Sequence, residues 1–330
     1  MAREGTNPEV EKLKGEEPAM TSAFWFSEDI TPDMVTKMRL NSIMFNTKSE
    51  FQRVQVVETA VFGKTLVLDG KTQSAQRDEF IYHETLVHPA MLTHPNPKKV
   101  YIGGGGELAT AREVLRHKSV EKCIMVDLDK VVVDVSREML PEWVGGATED
   151  PRLELLYQDA HAFLRTYDGL FDVIVMDIAD PIEAGPGYVL YTQEFYKFAL
   201  TKLTPGGVLV TQSGPGAIHT IDECFTVIHK TLKSEFEHVA PFNVDIPSFG
   251  CAWAFNLAFN SSEGSAKTAQ ELGQKPPSQT DAEIAERLTS PLRFYDGMAH
   301  LGLFGTPKWL RAAIEAETRI MTVDNPVFMY

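Results

Sequence analysis

Two short stretches carry the residues best suited to chemistry. In the first, a strand-like run ending at Ile102 leads into Gly103, Gly104, Gly105 and Gly106, then Glu107, then a helix-forming run through Glu113. Glycine at such a turn lets the backbone come close to a ligand, as nucleotide-binding α/β units require. In the second, a largely apolar run over residues 171–176 ends in Asp177 and Asp180, with no basic residue between them. The first stretch suits an adenosine-like ligand, and the second calls for a cation. Together they point to an enzyme that moves a group onto an amine.

These stretches need a scaffold that sets strand ends side by side. Short apolar strands at 100–102, 123–127, 153–157, 171–177 and 207–212 alternate with helical runs, including 131–140, 192–203 and 220–236. That alternation predicts a doubly wound, mostly parallel Rossmann-like (methyltransferase-like) α/β sheet. Ahead of it, residues 49–75 read as strands with Asp69-Gly70 as a hairpin turn, which predicts a small antiparallel β domain. Residues 78–92 read as a helix that the prolines at 95 and 97 end. The expected division is a disordered tail over 1–22, the β domain with its connecting helix over 23–95, and the catalytic domain over 96–330. Residues 261–280, rich in Ser, Gly, Lys, Gln and Pro, read as an exposed loop.

Composition narrows the classes. The 330 residues suffice for a full core, and 43% hydrophobic with 23% charged residues is ordinary for a globular protein. A net charge of −15 disfavours nucleic acid and favours cationic ligands. No apolar run approaches the roughly 18 residues of a membrane span, and the polar N-terminus lacks the core of a signal peptide. Cys123, Cys224 and Cys251 are scattered and form no CxxC pair, which reads as reduced thiols in a cytoplasmic protein with neither disulfides nor zinc.

In a doubly wound sheet, ligands bind beyond the carboxyl ends of the strands. The polar residues expected there are Glu107, Asp127, Asp159, Asp177, Asp180 and Gln212. Asp127 lies about 20 residues past the glycines, where an acid accepts ribose hydroxyl hydrogens. Asp159 could accept from an adenine amino group, or simply cap the next helix. Five acids with no arginine or lysine beside them suit hydroxyls and positive charge, not pyrophosphate. The glycines alone fit nicotinamide, flavin and sulfonium nucleosides alike; the acids favour a sulfonium nucleoside with a free amine. His83 and His88 are five residues apart and so do not share the helix face that an HExxH zinc site needs. Gly63-Lys64-Thr65 lacks the upstream glycine of a phosphate loop.

The chain resembles the polyamine aminopropyltransferases, the spermidine/spermine synthase family, and within it most resembles thermospermine synthases. The resemblance runs from about Phe24 to the C-terminus. It is carried by Leu68-Asp69-Gly70-Lys71-Thr72-Gln73, by Asp78-Glu79-Phe80-Ile81-Tyr82-His83-Glu84 and by Val87-His88-Pro89-Ala90. It continues through Gly104-Gly105-Gly106-Glu107, Thr110-Ala111-Arg112-Glu113, Asp177 to Pro181, and Ile246-Pro247-Ser248. Glu107, in place of the aspartate usual in spermidine synthases, and Ala179-Asp180-Pro181-Ile182-Glu183 lean toward the thermospermine branch.

The resemblance implies transfer of an aminopropyl group from decarboxylated S-adenosylmethionine, a co-substrate, with no prosthetic group and no metal. The expected reaction converts spermidine to thermospermine and releases 5'-methylthioadenosine. By the same resemblance, Gln52, His83, Glu107, Asp127, Asp159, Ala160 and Pro186 hold the donor. Tyr82, Asp180, Gln212 and Phe249 line the polyamine channel, and Asp177 is the proton acceptor. The aromatic residues Phe24, Trp25, Phe26, Tyr82, Phe249 and Trp253 could wall an apolar slot for methylene chains, or simply pack a core. The chain departs from the family at Leu108, where glycine is usual, and at Phe249, where tyrosine is usual. A homodimer or homotetramer is implied, with no nucleic-acid or membrane partner. The alternatives are a spermidine or spermine synthase, a small-amine methyltransferase, and a non-catalytic polyamine-binding protein.

Overall fold

The structure is a computed structural model that describes residues 24–183, 185–260 and 269–329. The tail over 1–22, expected to be disordered, lies outside the described residues. Two sheets carry the fold. The first is antiparallel, with β1 (Trp25–Thr31), β2 (Met34–Lys48), β3 (Arg53–Thr59), β4 (Gly63–Leu68) and β5 (Lys71–Ala75) in sequential order. At its last hairpin, Asp69 and Gly70 both have positive φ, at 48° and 85°, as a tight two-residue turn requires. The β1–β2 hairpin extends the small sheet beyond what the sequence pattern indicated. Most of β2 is exposed and shows no clean inside–outside alternation.

The second sheet contains β6 (Lys99–Gly104), β7 (Lys122–Asp127), β8 (Leu153–Tyr157), β9 (Phe171–Asp177), β10 (Leu203–Pro215), β11 (His238–Ile246) and β12 (Cys251–Phe259). Its order is β11-β12-β10-β9-β6-β7-β8. The strands from β10 to β8 are parallel, and β12 runs antiparallel between β10 and β11. Strand order reverses between β6 and β9, the place where such sheets bind ligands.

The continuous apolar runs follow from burial on both faces. Val100, Ile102, Val173, Val175, Val208 and Val210 pack on one side with the helix Glu79–Thr93. Tyr101, Ile174, Met176 and Leu209 pack on the other, under the helices Gln193–Leu200 and Phe225–Glu235. Each such aliphatic side chain contributes about 1.5–3 kcal/mol on burial. The helix Glu79–Thr93 is buried nearly all round and links the two sheets. Its first turn is tied down by Asp78, whose carboxylate accepts the Ser248 backbone N–H at 2.8 Å.

Two segments differ from the sequence expectation. Within 261–280, helices form over Ala269–Gly273 and from Pro277 into Pro277–Arg287, while 261–268 lies outside the described residues. Proline at the first helical position favours the second of these, and buried Leu272 and Thr280 anchor the pair. The run expected to be helical from residue 220 starts its α-helix at Phe225, after a short 3-10 turn over Ile218–Thr220. Among the described residues, no helix is long and apolar enough to cross a membrane.

Candidate active site

The glycine turn exists because the ends of β6 and β9 meet closely. Gly104 has φ of +82°, and a β-carbon there would lie 2.1 Å from the Asp177 carbonyl oxygen. Only glycine therefore fits between β6 and β9. The next N–H, of Gly105, donates to that carbonyl at 2.8 Å and fixes the glycine turn against the end of β9. Leu108 also has a left-handed φ of 70°, which explains why glycine would be the easier choice there. The strain, about 1–2 kcal/mol, is offset by a side chain that is wholly buried in the core.

Around this turn lies a cavity of about 460 Å³, lined by Gln52, Tyr82, Glu107, Asp127, Asp159, Ala160, Asp177, Asp180, Gln212 and Phe249. Ten of the twelve residues expected at the site thus share one space. The other two do not line it in the same way. His83 is fully buried behind Glu107 and does not reach the cavity. Pro186 opens the 3-10 turn Pro186–Tyr191, and its neighbours Gly185 and Gly187 line the cavity.

Asp177 ends β9. Its Oδ1 accepts from the Tyr82 hydroxyl at 2.7 Å, and its Oδ2 accepts from the Thr110 hydroxyl. Its pKa is raised, first by burial and then by the nearby Glu107 charge, while His83 and the two hydroxyls pull it down. Burial also pushes Asp127 up to about 7, with Asp129, Asp177 and Glu107 adding repulsion. Asp180 is pushed up to about 6, again mainly by burial. Its carboxylate accepts from Gln212 Nε2 at 3.0 Å. Gln212 is in turn fixed by the Gly214 N–H and the Trp253 indole N–H, which donate to its Oε1 at 2.9 and 3.1 Å.

Asp159 accepts the Ala162 N–H at 2.6 Å, so it caps the helix Ala160–Thr166 while one side still faces the cavity. Gln52 reaches over from the loop between β2 and β3 and donates to Asp129 at 3.0 Å. Phe249 packs edge-on to Trp253 and Tyr82, at ring separations of 4.8 and 5.9 Å, so these three form an apolar wall. Phe24 and Trp25, offered by the sequence as possible wall residues, are instead 75% and 50% exposed on the small sheet.

Sequence reasoning gave no role to Asp129 or Thr110. Asp129 caps the helix Lys130–Met139 through the Val131 N–H, a position that an acid before a helical run could have signalled. Among the lining residues the acids are Asp69, Glu107, Asp127, Asp129, Asp159, Asp177 and Asp180, against the single base Lys48. Such a space attracts cations and repels phosphate.

The fold and the cavity define a doubly wound α/β protein with an acidic cavity where strand order reverses. A family model described as the spermine/spermidine synthase domain matches residues 79–268, and one described as the spermidine synthase tetramerisation domain matches residues 24–76. The chain is 43% identical over 307 residues to a polyamine aminopropyltransferase of Aeropyrum pernix, covering 92% of this chain and 95% of that one. It is 39% identical over 328 residues to the thermospermine synthase ACAULIS5 of Arabidopsis thaliana, covering 98% and 94%. A crystal structure of spermidine synthase with the transition-state analogue AdoDATO superposes with a TM-score of 0.80 at 28% identity, covering 93% of this chain and all of that one. The chain belongs to the spermine/spermidine synthase family of polyamine aminopropyltransferases.

Proposed function

We propose that the protein transfers the aminopropyl group of decarboxylated S-adenosylmethionine to spermidine, forming thermospermine and 5'-methylthioadenosine. The observation that carries this reading is the lining itself: a run of carboxylates around a glycine turn, with Asp177 held by two hydroxyls at its centre. The resemblance to ACAULIS5 over nearly the whole chain supports the choice of product.

The donor is a sulfonium, so the carbon beside sulfur is already electrophilic. The acceptor amine must lose a proton, and with a pKa near 10.4 only roughly one molecule in a few thousand is neutral at pH 7. In this reading Asp177 orients that amine and takes its proton as the new C–N bond forms. The C–S bond breaks, and its electron pair leaves with sulfur as a neutral thioether. A carboxylate also favours the ammonium form, so placement at attack distance contributes beside proton removal.

Asp127 and Gln52 would hold the nucleoside's ribose, with Asp159, Ala160 and Pro186 at the adenine end. Glu107 would take the donor's primary ammonium and repel the extra carboxylate of intact S-adenosylmethionine. Asp180 and Gln212 would hold the polyamine, with the Phe249 wall along its methylenes. A homodimer or homotetramer through the small sheet is supported by the family match over residues 24–76.

The test is one incubation with decarboxylated S-adenosylmethionine and either putrescine or spermidine, read by chromatography that separates spermine from thermospermine. Thermospermine from spermidine is the expected product. Spermidine from putrescine would correct the acceptor, spermine would correct which end of spermidine reacts, and absence of any new polyamine would overturn the reaction.

A further inference from the structure

His83 stands directly behind the donor pocket. Its Nδ1 lies 2.9 Å from Glu79 Oε2 and its Nε2 2.9 Å from Glu107 Oε1. A neutral imidazole has a single N–H. A ring facing a carboxylate at each nitrogen is therefore satisfied only with both protons, and the pair holds its pKa up at about 10. Glu107 lines the cavity, whereas Glu79 is outside it and 5% exposed.

Behind Glu79 comes Arg112, whose Nη2 donates to Glu79 Oε2 at 2.9 Å and whose Nε donates to Glu113 at 2.7 Å. Arg293 lies 3.7 Å from the other Glu79 oxygen. From β9, Asp177 also acts electrostatically on this ring, and Tyr82 meets it edge-on at 5.1 Å. Two carboxylates flank one imidazolium, and the Arg112 guanidinium balances Glu79, the second of them. With Glu79 absent, the His83 imidazolium would bear on Glu107 alone, with the positive charge of Arg112 uncompensated behind it.

We propose that Glu79 is a positioning residue for the transfer: through His83 it fixes the Glu107 carboxylate and keeps the imidazolium from neutralising the charge that the donor's ammonium meets. This rests on the reading of Glu107 as the ammonium's partner. Glu79→Gln should raise the donor KM at pH 7 by about tenfold, the scale of one charge-assisted contact. The acceptor KM and kcat should change by less than about threefold, since binding of one substrate alone is affected.

The donor KM of this variant should then recover as pH rises to 9, where His83 sheds its less firmly held proton and leaves Glu107 uncancelled. In the unaltered protein it should stay flat over that range. Glu79→Asp should restore most of the affinity. An unchanged donor KM, or a joint rise of both KM values with a fall in kcat and no pH recovery, would overturn the role of Glu79. If Glu107→Gln itself leaves the donor KM unaltered, the donor-site reading fails instead.

Discussion

The Tyr82 hydroxyl donates to Asp177 at 2.7 Å across 95 residues of sequence, joining the buried linking helix to the end of β9. A carboxylate fixed this way cannot rotate freely toward solvent. Tyr82→Phe removes one of its two hydroxyl donors. Loss of a hydrogen bond to a charged group, about 1.5–3 kcal/mol, should lower kcat about 10–100-fold. Asp177→Asn should cut it further, by about 10²–10⁴-fold, while donor binding survives. Release of methylthioadenosine under saturating substrates checks both. Near-normal turnover in Asp177→Asn would sink its assignment as proton acceptor.

Asp180 and Gln212 form the next pair along the pocket. Asp180→Asn keeps an oxygen for Gln212 but removes the charge. The KM for spermidine should rise about 10–100-fold with the donor KM nearly constant, on the scale of a charge-assisted contact. Steady-state kinetics with each substrate varied in turn separates the two. Equal changes in both would show that Asp180 shapes the cavity as a whole.

Phe249 presents an apolar ring to Tyr82 and Trp253. Phe249→Tyr adds a hydroxyl to this wall and should shift the relative kcat/KM for putrescine and spermidine. Competition between the two amines, followed by chromatography, measures the shift. An unchanged ratio would reduce this position to packing.

Leu108 combines a left-handed backbone with a fully buried side chain. Leu108→Gly relieves about 1–2 kcal/mol of backbone strain but removes buried leucine atoms worth about 2–5 kcal/mol. The net expectation is a loss of about 1–3 kcal/mol, read from urea unfolding at fixed protein concentration. A gain in stability would mean the core does not compensate the strain.

Between pH 6.5 and 8.5, the thermal midpoint of the ligand-free protein should fall. Asp127 titrates near 7 when folded, above its unfolded value, so its contribution is lost as pH rises through that point. His83, held up at about 10, favours the folded state below 6.5 and loses that advantage as pH climbs toward 10. Both signs agree over this window. His229, pushed down to about 4, and His117, pushed well down by burial, act with the opposite sign, but that contribution ends just above the ordinary histidine value near 6.5. Asp127→Asn should flatten part of the slope, and a midpoint that rises with pH would contradict the burial of these groups.

Much of the large sheet was legible because its strands are apolar runs whose ends carry chemically distinctive residues. Asp127, Asp159 and Asp177 each lie at or just past such an end, so type and position coincide, whereas Gln212 lies inside β10, which runs on to Pro215. The hairpin of β1 and β2 was not legible, because an exposed ribbon carries little hydrophobic period. Thr110 was silent as a ligand of Asp177, since nothing in one sequence couples residues 67 apart. His83 was placed at the donor by motif, but its ring is sealed off by the very carboxylate it serves. Asp129 went unread because a helix-capping acid and a pocket acid look the same in sequence.

The cavity takes its walls from both sheets, with Gln52, Leu68, Thr72 and Gln73 facing Gly104, Asp127 and Asp177. Neither layer encloses a ligand without the other. On the proposed reading a bound nucleoside would be mortar between two courses of masonry, and the small sheet would belong to the reaction vessel as much as to any assembly. Injury to that sheet, far from the reacting carbon, would be felt first as loosened grip and only later as slowed chemistry.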